Sequence, residues 1–374
     1  MVYHALYGKD VMMNVYDDYL QQLRDQIDKI DDQLLELLNK RAELVLEIGK
    51  IKKLDQRRFH VLEREEAIYQ RLVNANPGPF PSAAIRPIFR EIISASLSLE
   101  KTLTIACLGP EATFCHIAAI QQFGEAASYI HTRSIPDIFD EVERGRADYG
   151  VVPIENSTEG VVNLTLDMFI ESPLHICAEV LLEISQCLLS HAPSLEDITV
   201  VYSHPQALAQ CYNWLAKNLP HAEIKETFST AMAAKMAQEQ PHVAAIASEF
   251  AAKTYGVPVC RLRIEDNPHN FTRFWVIGST SPGRTGCDKT SLMLSIKDGV
   301  GALYNILAPF ADNGINLTKI ESRPFRKKPW EYIFFIDLEG HQEDQPVSRA
   351  IDRVTAMSQF IKVLGSYPKG SRLL

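Results

Sequence analysis

The sequence lacks the usual features of secreted, membrane-spanning and nucleic-acid-binding proteins. Its 374 residues include seven cysteines, an odd number without paired ligand spacing, so we expect reduced, mostly buried thiols and no metal site. No apolar run reaches the roughly 20 residues of a membrane helix. Residues 1–19 lack the apolar core of a signal peptide. A net charge of −9 argues against a nucleic-acid partner, and we expect a cytoplasmic protein.

An apolar seam predicts one very long helix. The segment from Leu20 to Lys52 has no proline, and no glycine before Gly49, and as a helix it would be about 50 Å long. A small domain cannot cover such a helix by itself. The seam follows the 3,4 spacing of one helix face and comprises Leu20, Leu23, Ile27, Ile30, Leu34, Leu37, Arg41, Leu44, Ile48 and Ile51.

Arg41 occupies a core position of this seam. A buried guanidinium without its partner costs about 3–5 kcal/mol, so we expect an acidic ligand or a buried acidic side chain beside it. Lys52, eleven residues later, shares its face. Arg24 lies about 25 Å away along the axis, and reaches the same ligand only from the partner chain of an intertwined antiparallel dimer. The alternative is that all three basic residues are solvated or pair with helix neighbours such as Glu36, Glu43 or Glu47, and it fits Arg41 least.

Two shorter helices are predicted next, at 62–73 and 85–99, separated by a break at 74–79. Together with the long helix they resemble the all-helical chorismate mutase domain of the bifunctional P-proteins, over residues 20–101. The motifs that carry the resemblance are Leu23-Arg24, Lys40-Arg41-Ala42-Glu43-Leu44, Gly49-Lys50-Ile51-Lys52, Arg64-Glu65, and Ser96 with Glu100. The family's rearrangement of chorismate to prephenate uses no cofactor, and catalysis comes from holding a compact conformer and stabilising charge on the ether oxygen.

The resemblance implies a role for each of these residues. Arg41 and the partner chain's Arg24 would bind the two carboxylates, and Lys52 and Glu100 would hydrogen-bond the ether oxygen. Glu65 would bind the ring hydroxyl, while Arg64 and Ser96 would support the pocket. Some relatives have glutamine where this chain has Glu100, and an ionised carboxylate would repel the developing oxyanion. We therefore hypothesise that Glu100 works as a neutral acid.

From Lys101 onward, short apolar strands alternate with polar turns and helices. The pattern predicts an open α/β arrangement, in which ligands bind outside the carboxyl ends of strands near helix N-termini. Ser203 and Ser248 follow two of these strands, and the simplest interpretation is that they are N-caps. The strands are predicted at 103–108, 150–154, 198–202 and 243–247.

Four segments in this order strongly resemble prephenate dehydratase, over residues 102–280. They are Gly109-Pro110-Glu111-Ala112-Thr113-Phe114, Pro153-Ile154-Glu155-Asn156-Ser157, Ser203-His204-Pro205-Gln206-Ala207-Leu208 and Thr272-Arg273-Phe274. The resemblance implies a two-lobed fold like that of periplasmic binding proteins. It also implies loss of carbon dioxide and water from prephenate, which requires a proton donor and cations for the carboxylates, with no metal.

By this resemblance, Thr272 is the proton donor or its polariser and Arg273 is the carboxylate anchor. Whether a bound water makes the transfer stays open. Related chains commonly have serine where this chain has Cys115. A thiol is a weaker hydrogen-bond donor than a hydroxyl, which argues against a substrate contact at this position. The resemblance also implies that Asn156, Ser203 and Gln210 form the polar wall of the cleft. Glu155, Ser157 and Phe274 would determine its shape.

The last segment predicts a small α+β unit. Residues 278–286 read as a flexible linker by composition, and the order βαββαβ that follows is ferredoxin-like. Residues 289–374 resemble the ACT regulatory domain of P-proteins, whose Gly-Ala-Leu and Glu-Ser-Arg-Pro segments bind phenylalanine across a dimer interface. The matching residues are Gly301, Ala302, Leu303, Glu321, Ser322, Arg323 and Pro324. Taken alone, Gly301 merely starts a helix and Arg323 is a surface charge.

The sequence therefore predicts a multidomain enzyme. An extension (1–19) precedes a three-helix mutase domain (20–101), a two-lobed α/β dehydratase domain (102–280), a linker (281–288) and a regulatory domain (289–374). The chain would take chorismate through prephenate to phenylpyruvate as a homodimer or larger homo-oligomer, under phenylalanine feedback and without a cofactor. The alternative is a two-lobed binding module with an amino-acid sensor, in which the helices only dimerise. Arg41 in the seam argues against it.

Overall fold

The computed structural model describes residues 8–54, 60–297, 299–324 and 332–370, with the side chains of 8–15 left out. The chain divides into two compact units. One contains the long helix with residues 95–101, and the other contains residues 60–94 together with everything from Thr102 onward. The helices before the first strand are α1 (Gly8–Leu54), α2 (Leu62–Ala75) and α3 (Ser82–Glu100).

Helix α1 confirms the long-helix prediction and extends it. It begins at Gly8 rather than at Leu20, so residues 8–19, interpreted as an extension, continue the helix; residues 1–7 lie outside the described part. The apolar seam is exposed along the helix, for example at Leu34 (53 %) and Leu44 (61 %). Exposed apolar rows of this kind mark an interaction surface.

The first α/β lobe is a six-stranded sheet covered by helices. Its order is β2-β1-β3-β11-β5, with β4 paired to β3, and β11 runs antiparallel to both of its neighbours. Apolar residues such as Val151, Val152 and Ile277 make β3 and β11 central strands. The elements are β1 (Thr104–Leu108), α4 (Phe114–Phe123), β2 (Ser128–Thr132), α5 (Ile135–Glu143), β3 (Tyr149–Asn156), β4 (Gly160–Val161), α6 (Asn163–Phe169), β5 (His175–Glu183) and β11 (Phe271–Gly278).

The second lobe is a five-stranded sheet of order β10-β6-β9-β7-β8. The chain enters it after β5 and returns to the first lobe at β11, so two crossings join the lobes. This confirms the two-lobed α/β prediction. The elements are β6 (Cys187–Ser190), β7 (Val200–Ser203), α7 (Pro205–Gln210), α8 (Tyr212–Asn218), β8 (Glu223–Glu226), α9 (Thr230–Glu239), β9 (Val243–Ala247), α10 (Glu249–Tyr255) and β10 (Val259–Arg261).

One of the two N-cap predictions is confirmed and the other is wrong. Ser248 caps α10 by accepting from the Ala251 amide. Ser203 instead ends β7, and His204 is the N-cap of α7. The Ser203 hydroxyl is fully buried and donates to the Ile246 carbonyl across the sheet at 2.6 Å, so its contact is within the sheet and not with the helix.

The C-terminal domain has the predicted βαββαβ order, in an antiparallel sheet β13-β14-β12-β15. Strand β14 was predicted from Glu331, which lies outside the described residues. The elements are β12 (Asp288–Ser295), α11 (Ala302–Asp312), β13 (Leu317–Pro324), β14 (Tyr332–Glu339), α12 (Gln345–Met357) and β15 (Phe360–Pro368).

The C-terminal sheet packs against helices on one face and against the first lobe on the other. On the first face, Leu292, Ile306 and Phe310 share a core with α11 and α12. On the second, Met293, Ile333, Phe335, Leu364 and Tyr367 share a core with Trp275 and Ile277 of β11. The first lobe and the C-terminal domain therefore share one continuous apolar core.

The connection between these domains is more constrained than its composition predicts. The Ser281 hydroxyl donates to the Ser366 carbonyl at 3.2 Å, and the Thr285 amide donates to Asp288 at 2.9 Å. The flexible-linker prediction missed these contacts, because composition gives backbone propensity and not the neighbouring surface.

No described helix is long and apolar enough to cross a membrane. Within the described ranges, no group of three or more His, Cys, Asp or Glu side chains is arranged to hold a metal ion.

Candidate active sites and effector site

A cleft between the two α/β lobes contains most of the predicted dehydratase residues. Its volume is about 360 Å³, within the usual range for small-molecule sites. The carboxyl ends of β3 and β7 and the N-terminal ends of α4 and α9 meet there, as expected for an open α/β sheet. The lining includes Thr113, Phe114, Cys115, Pro153, Asn156, Gln186, His204, Gln206, Gln210, Phe228, Ser229, Thr230, Thr272 and Phe274.

The polar centre of the cleft is the pair Asn156 and Thr272. Their strands are in register at these positions, and Asn156 Nδ2 donates to Thr272 Oγ1 at 2.8 Å. Asn156 Oδ1 in turn accepts from the Thr158 amide at 2.9 Å. This fixes the orientation of the amide, and Thr272 keeps its own hydroxyl proton to donate, because the hydroxyl oxygen is the acceptor in the Asn156 bond.

Cys115 lies at the start of α4 with a neutral thiol. Burial raises its pKa to about 12, although a hydrogen bond from the Leu108 amide opposes the shift. The sulfur donates to the Val151 carbonyl. Cys115 therefore behaves as a small, weakly polar wall residue and not as a nucleophile.

Arg273 lies on the opposite face of the sheet from the cleft. It is 9 % exposed and forms ion pairs with Glu179 at 2.7 Å and Asp337 at 2.6 Å, while Nη2 donates to the Tyr367 hydroxyl at 3.1 Å. Burial by itself would lower the pKa of Arg273, but Tyr367, Asp337 and Glu179 together raise it above its ordinary value. Arg273 is not among the described residues that line the cleft, because alternation along β11 points it away. This placement argues against its predicted role as a carboxylate anchor.

Glu155, Ser157 and Ser203 also lie apart from the cleft lining. Glu155 pairs with Lys319 of the C-terminal sheet at 2.7 Å. The Ser157 hydroxyl accepts from the Phe271 amide at 3.0 Å and so closes the loop before β11. Ser203 lies beneath the cleft in the sheet. Asn156, Gln210, Thr272 and Phe274 are the predicted residues that the structure brings together in the cleft.

Several cleft residues were missed by the sequence analysis. The second lobe contributes Phe228, Ser229 and Thr230 to the cleft lining. Ser229 is the N-cap of α9. The preceding strand β8 reads Glu-Ile-Lys-Glu and is mostly exposed, so it shows no apolar run. The serine before an alanine-rich helix was the available indication.

In the first compact unit, α1 and the end of α3 bring together four of the predicted mutase residues. Arg41 Nη1 donates to the buried hydroxyl of Ser96. Lys52 Nζ lies 3.7 Å from Glu100 Oε2. A side chain at Gly49 would come within 2.9 Å of the Glu100 side chain, so the glycine permits this close approach.

The remaining predicted mutase residues are Arg24, Arg64 and Glu65. Arg24 is exposed on α1, about 25 Å along the helix from Arg41. Arg64 is exposed on α2, in the second unit. In that unit, Glu65 Oε1 lies 2.8 Å from Nε2 of the buried His60.

Family models match three consecutive parts of the chain: chorismate mutase type II (23–101), prephenate dehydratase (105–282) and the ACT domain (290–356). A bifunctional chorismate mutase/prephenate dehydratase of Aquifex aeolicus is 51 % identical, over 94 % of this chain and 98 % of the relative. One from Neisseria gonorrhoeae is 44 % identical, over 96 % and 99 %. The chain belongs to the bifunctional chorismate mutase/prephenate dehydratase family.

A solved structure of a prephenate dehydratase is also similar to this chain. The prephenate dehydratase of Arthrobacter aurescens, in complex with L-Phe, has a TM-score of 0.66 and 37 % identity, and the match covers 71 % of this chain and 90 % of that one. The family assignment confirms the predicted mutase and dehydratase activities and the ACT domain.

The ACT residues expected to bind an effector lie at two places in the C-terminal domain. Gly301 precedes α11 with φ of 73°, a conformation that favours glycine, and Ala302 and Leu303 begin the helix. On β13, Glu321 and Arg323 alternate with the exposed Ser322 and Pro324. Arg323 is not a free surface charge, because Nη2 contacts both carboxylate oxygens of Asp167 on α6, at 2.9 and 3.1 Å.

Proposed function

We propose that this bifunctional enzyme converts prephenate to phenylpyruvate in the cleft between the α/β lobes, with Thr272 at the reacting centre. The observation that carries the proposal is the Asn156–Thr272 hydrogen bond of 2.8 Å among the cleft residues. Thr272, directly or through a water, donates the proton with which the ring hydroxyl leaves. The Asn156 amide fixes the position of the Thr272 hydroxyl and stabilises the negative charge that develops on its oxygen as the proton is donated.

The substrate carboxylates bind at helix N-termini and not at Arg273. Among the described residues that line the cleft, none is a lysine or an arginine. The first turns of α4 and α9, preceded by the capping residues Thr113 and Ser229, line the cleft from opposite lobes. Peptide N–H groups and the helix dipole favour an anion at such positions, and two opposed helix ends suit a dicarboxylate.

We propose that chorismate is rearranged to prephenate by Arg41, Lys52, Ser96 and Glu100 of one chain and Arg24 of a second. The exposed apolar seam of α1 supports an intertwined dimer, because burying it would remove a large apolar surface from water. The guanidinium of Arg41 and the ammonium of Lys52 stabilise the carboxylates and the ether oxygen.

We propose that L-phenylalanine binds the ACT domain near Gly301 and β13 and inhibits the dehydratase. The L-Phe complex of the Arthrobacter aurescens relative supports this ligand. The N-terminus of α11 suits its carboxylate. The proposed domains are 20–101, 102–280 and 289–374, in a cytoplasmic enzyme.

The test is to give the purified protein chorismate in a buffer without added metal. Chorismate loss and phenylpyruvate formation are followed with and without L-phenylalanine. Phenylpyruvate formation that phenylalanine suppresses is the expected result. Accumulation of prephenate would contradict the role of Thr272, and intact chorismate would contradict that of Arg41.

A further inference from the structure

Strands β3 and β11 place two residue pairs on opposite faces of one sheet. Thr272 is in register with Asn156, and Arg273 is in register with Glu155. Since side chains alternate along a strand, the Asn156–Thr272 pair faces the cleft while the Glu155–Arg273 pair faces the ACT sheet. Arg273 Nη1 and Glu155 Oε2 are 4.0 Å apart.

Arg273 is held by a buried network that extends into the ACT domain. Asp337 Oδ2 lies 2.6 Å from Arg273, and Asp337 Oδ1 accepts from Ser291 at 2.6 Å. Tyr367, fully buried, contacts both Arg273 and Ser291. Such an arrangement has few alternative geometries, because each side chain positions the next.

The charges of this network balance within the buried space. Glu179 on β5 accepts from Arg273 and lies 3.0 Å from Nζ of Lys289 on β12. Two cations, Arg273 and Lys289, therefore meet two buried anions, Glu179 and Asp337. Moving the ACT sheet away would leave charges uncompensated in a region of low dielectric constant.

Glu155 connects the same sheet to the strand of the effector motif. Lys319 on β13 lies 2.7 Å from Glu155. Two and four residues further along β13 are Glu321 and Arg323, and Arg323 makes its own ion pair with Asp167 of the first lobe. A shift of β13 would therefore move Lys319 relative to Glu155, and Glu155 directly precedes Asn156 on β3.

We propose that Glu155 and Arg273 are positioning residues that couple the ACT sheet to the catalytic pair Asn156–Thr272, with Lys319 as the link from the effector strand. This inference rests on the proposed inhibition by phenylalanine. A ligand at β13 inhibits because it binds unequally to the states with and without the Lys319–Glu155 contact. The contact transmits that difference to the backbone on which Asn156 is held.

The experiment compares Lys319→Met with Lys319→Arg and with Lys369→Met in the full-length protein. Lys369 is the matched control, because it is an exposed ACT lysine paired with Glu339. Dehydratase kcat and KM are measured without effector and at saturating phenylalanine, and phenylalanine binding is measured by calorimetry. Thermal unfolding checks that each variant is folded.

We expect Lys319→Met to keep the phenylalanine-free kcat, the KM and the mutase activity. Its inhibition factor should fall by about fivefold or more, the lower end of usual allosteric couplings. Lys319→Arg and Lys369→Met should be inhibited like the parent protein. Tyr367→Phe, which removes a contact of Arg273, should also weaken inhibition.

The outcomes separate this inference from the function on which it depends. A parent enzyme that neither binds phenylalanine nor is inhibited by it would refute the proposed regulation itself. A parent enzyme that is inhibited, with Lys319→Met and Tyr367→Phe inhibited equally, would overturn the coupling role. Bound phenylalanine without inhibition in Lys319→Met is the decisive result in favour, because binding then persists while coupling is lost.

Discussion

Thr272 and Arg273 are consecutive residues that belong to different functional parts of the molecule. Thr272 Oγ1 accepts from Asn156 in the cleft at 2.8 Å, whereas Arg273 Nη1 donates to Asp337 of the ACT sheet at 2.6 Å. One peptide unit therefore separates the hydroxyl in the cleft from the interface with the ACT domain. The threonine and the arginine should respond to mutation in different ways.

Replacement of Thr272 tests its role as proton donor. Thr272→Val keeps the shape and removes the hydroxyl, so dehydratase kcat should fall by about 10²–10⁴-fold, the usual contribution of general acid catalysis. Thr272→Ser should keep most of the activity, and mutase activity should not change. Steady-state kinetics with prephenate measures this. Thr254→Val on α10, whose hydroxyl bonds only within its helix at Phe250 among the contacts described, is the control. Wild-type kcat in Thr272→Val would contradict the role.

Replacement of Arg273 tests whether this residue stabilises the interface with the ACT domain or binds the substrate. Arg273→Lys keeps the charge but loses the planar donor geometry, and each lost charged hydrogen bond costs about 1.5–3 kcal/mol. We expect a lower melting temperature and a lower dehydratase kcat with little change in KM. Arg263→Lys, at an exposed pair with Glu183, should change neither. A large rise in KM at unchanged stability would restore the carboxylate-anchor interpretation.

Replacement of Arg41 separates the mutase from a dimerisation scaffold. Arg41→Leu removes the guanidinium that contacts Ser96, and loss of one such donor costs about 10²–10³-fold in rate. Chorismate turnover should fall accordingly while the dimer persists or becomes tighter, as seen by analytical ultracentrifugation. Arg71→Leu on the exposed face of α2 is the control. Loss of the dimer with turnover intact would favour the scaffold alternative.

Glu100 predicts an effect of side-chain charge on the mutase reaction. Its Oε2 lies 3.7 Å from Nζ of Lys52 and accepts no hydrogen bond from the described residues. A carboxylate would repel the oxyanion that develops on the ether oxygen, whereas an amide would donate a hydrogen bond to it. Glu100→Gln should therefore keep or increase the mutase kcat/KM, which steady-state kinetics with chorismate measures. A large fall of kcat/KM in this variant would remove the hypothesis.

His116 predicts a loss of stability in acid. Burial first, and then the nearby His131, lower the pKa of His116 from 6.5 to about 4. The unfolded state therefore binds the proton more tightly, so stability is complete above pH 6.5 and decreases as pH falls toward 4, by at most about 1.4 kcal/mol per pH unit. His116→Asn keeps an acceptor for the Ala112 amide and should reduce this slope. Denaturant unfolding between pH 7 and pH 4 measures it, and an unchanged slope would assign the loss to other groups.

Much of the architecture was predictable because it is determined locally. The 3,4 apolar spacing of residues 20–51 predicts one helix whatever the tertiary arrangement is. Helix α1 contains all of these residues. Alternating short apolar runs and helical segments gave the order of the ACT domain, with α11 at the predicted residues. The placement of Asn156 also follows from local order, since it ends strand β3 and the polar turns after such strands collect at one edge of a sheet.

Other features depended on contacts between distant segments. The polar edge strand β8 is stabilised by pairing with β7, and its own residues show no strand pattern. The Ser203 hydroxyl donates across the sheet to the Ile246 carbonyl, which is 43 residues away in the chain. Such contacts override local propensity because packing contributes more free energy than backbone preference.

The sequence by itself determined the long helix α1, the order of elements in the ACT domain and the family motifs, because these depend on spacing along the chain. Only the tertiary structure decided that Thr272 faces the cleft and Arg273 the ACT sheet. A strand's alternation separates two neighbours, but which face meets substrate depends on where Asn156, Asp337 and Tyr367 arrive from other parts of the chain. That arrangement is set by the packing of three sheets and not by the tripeptide.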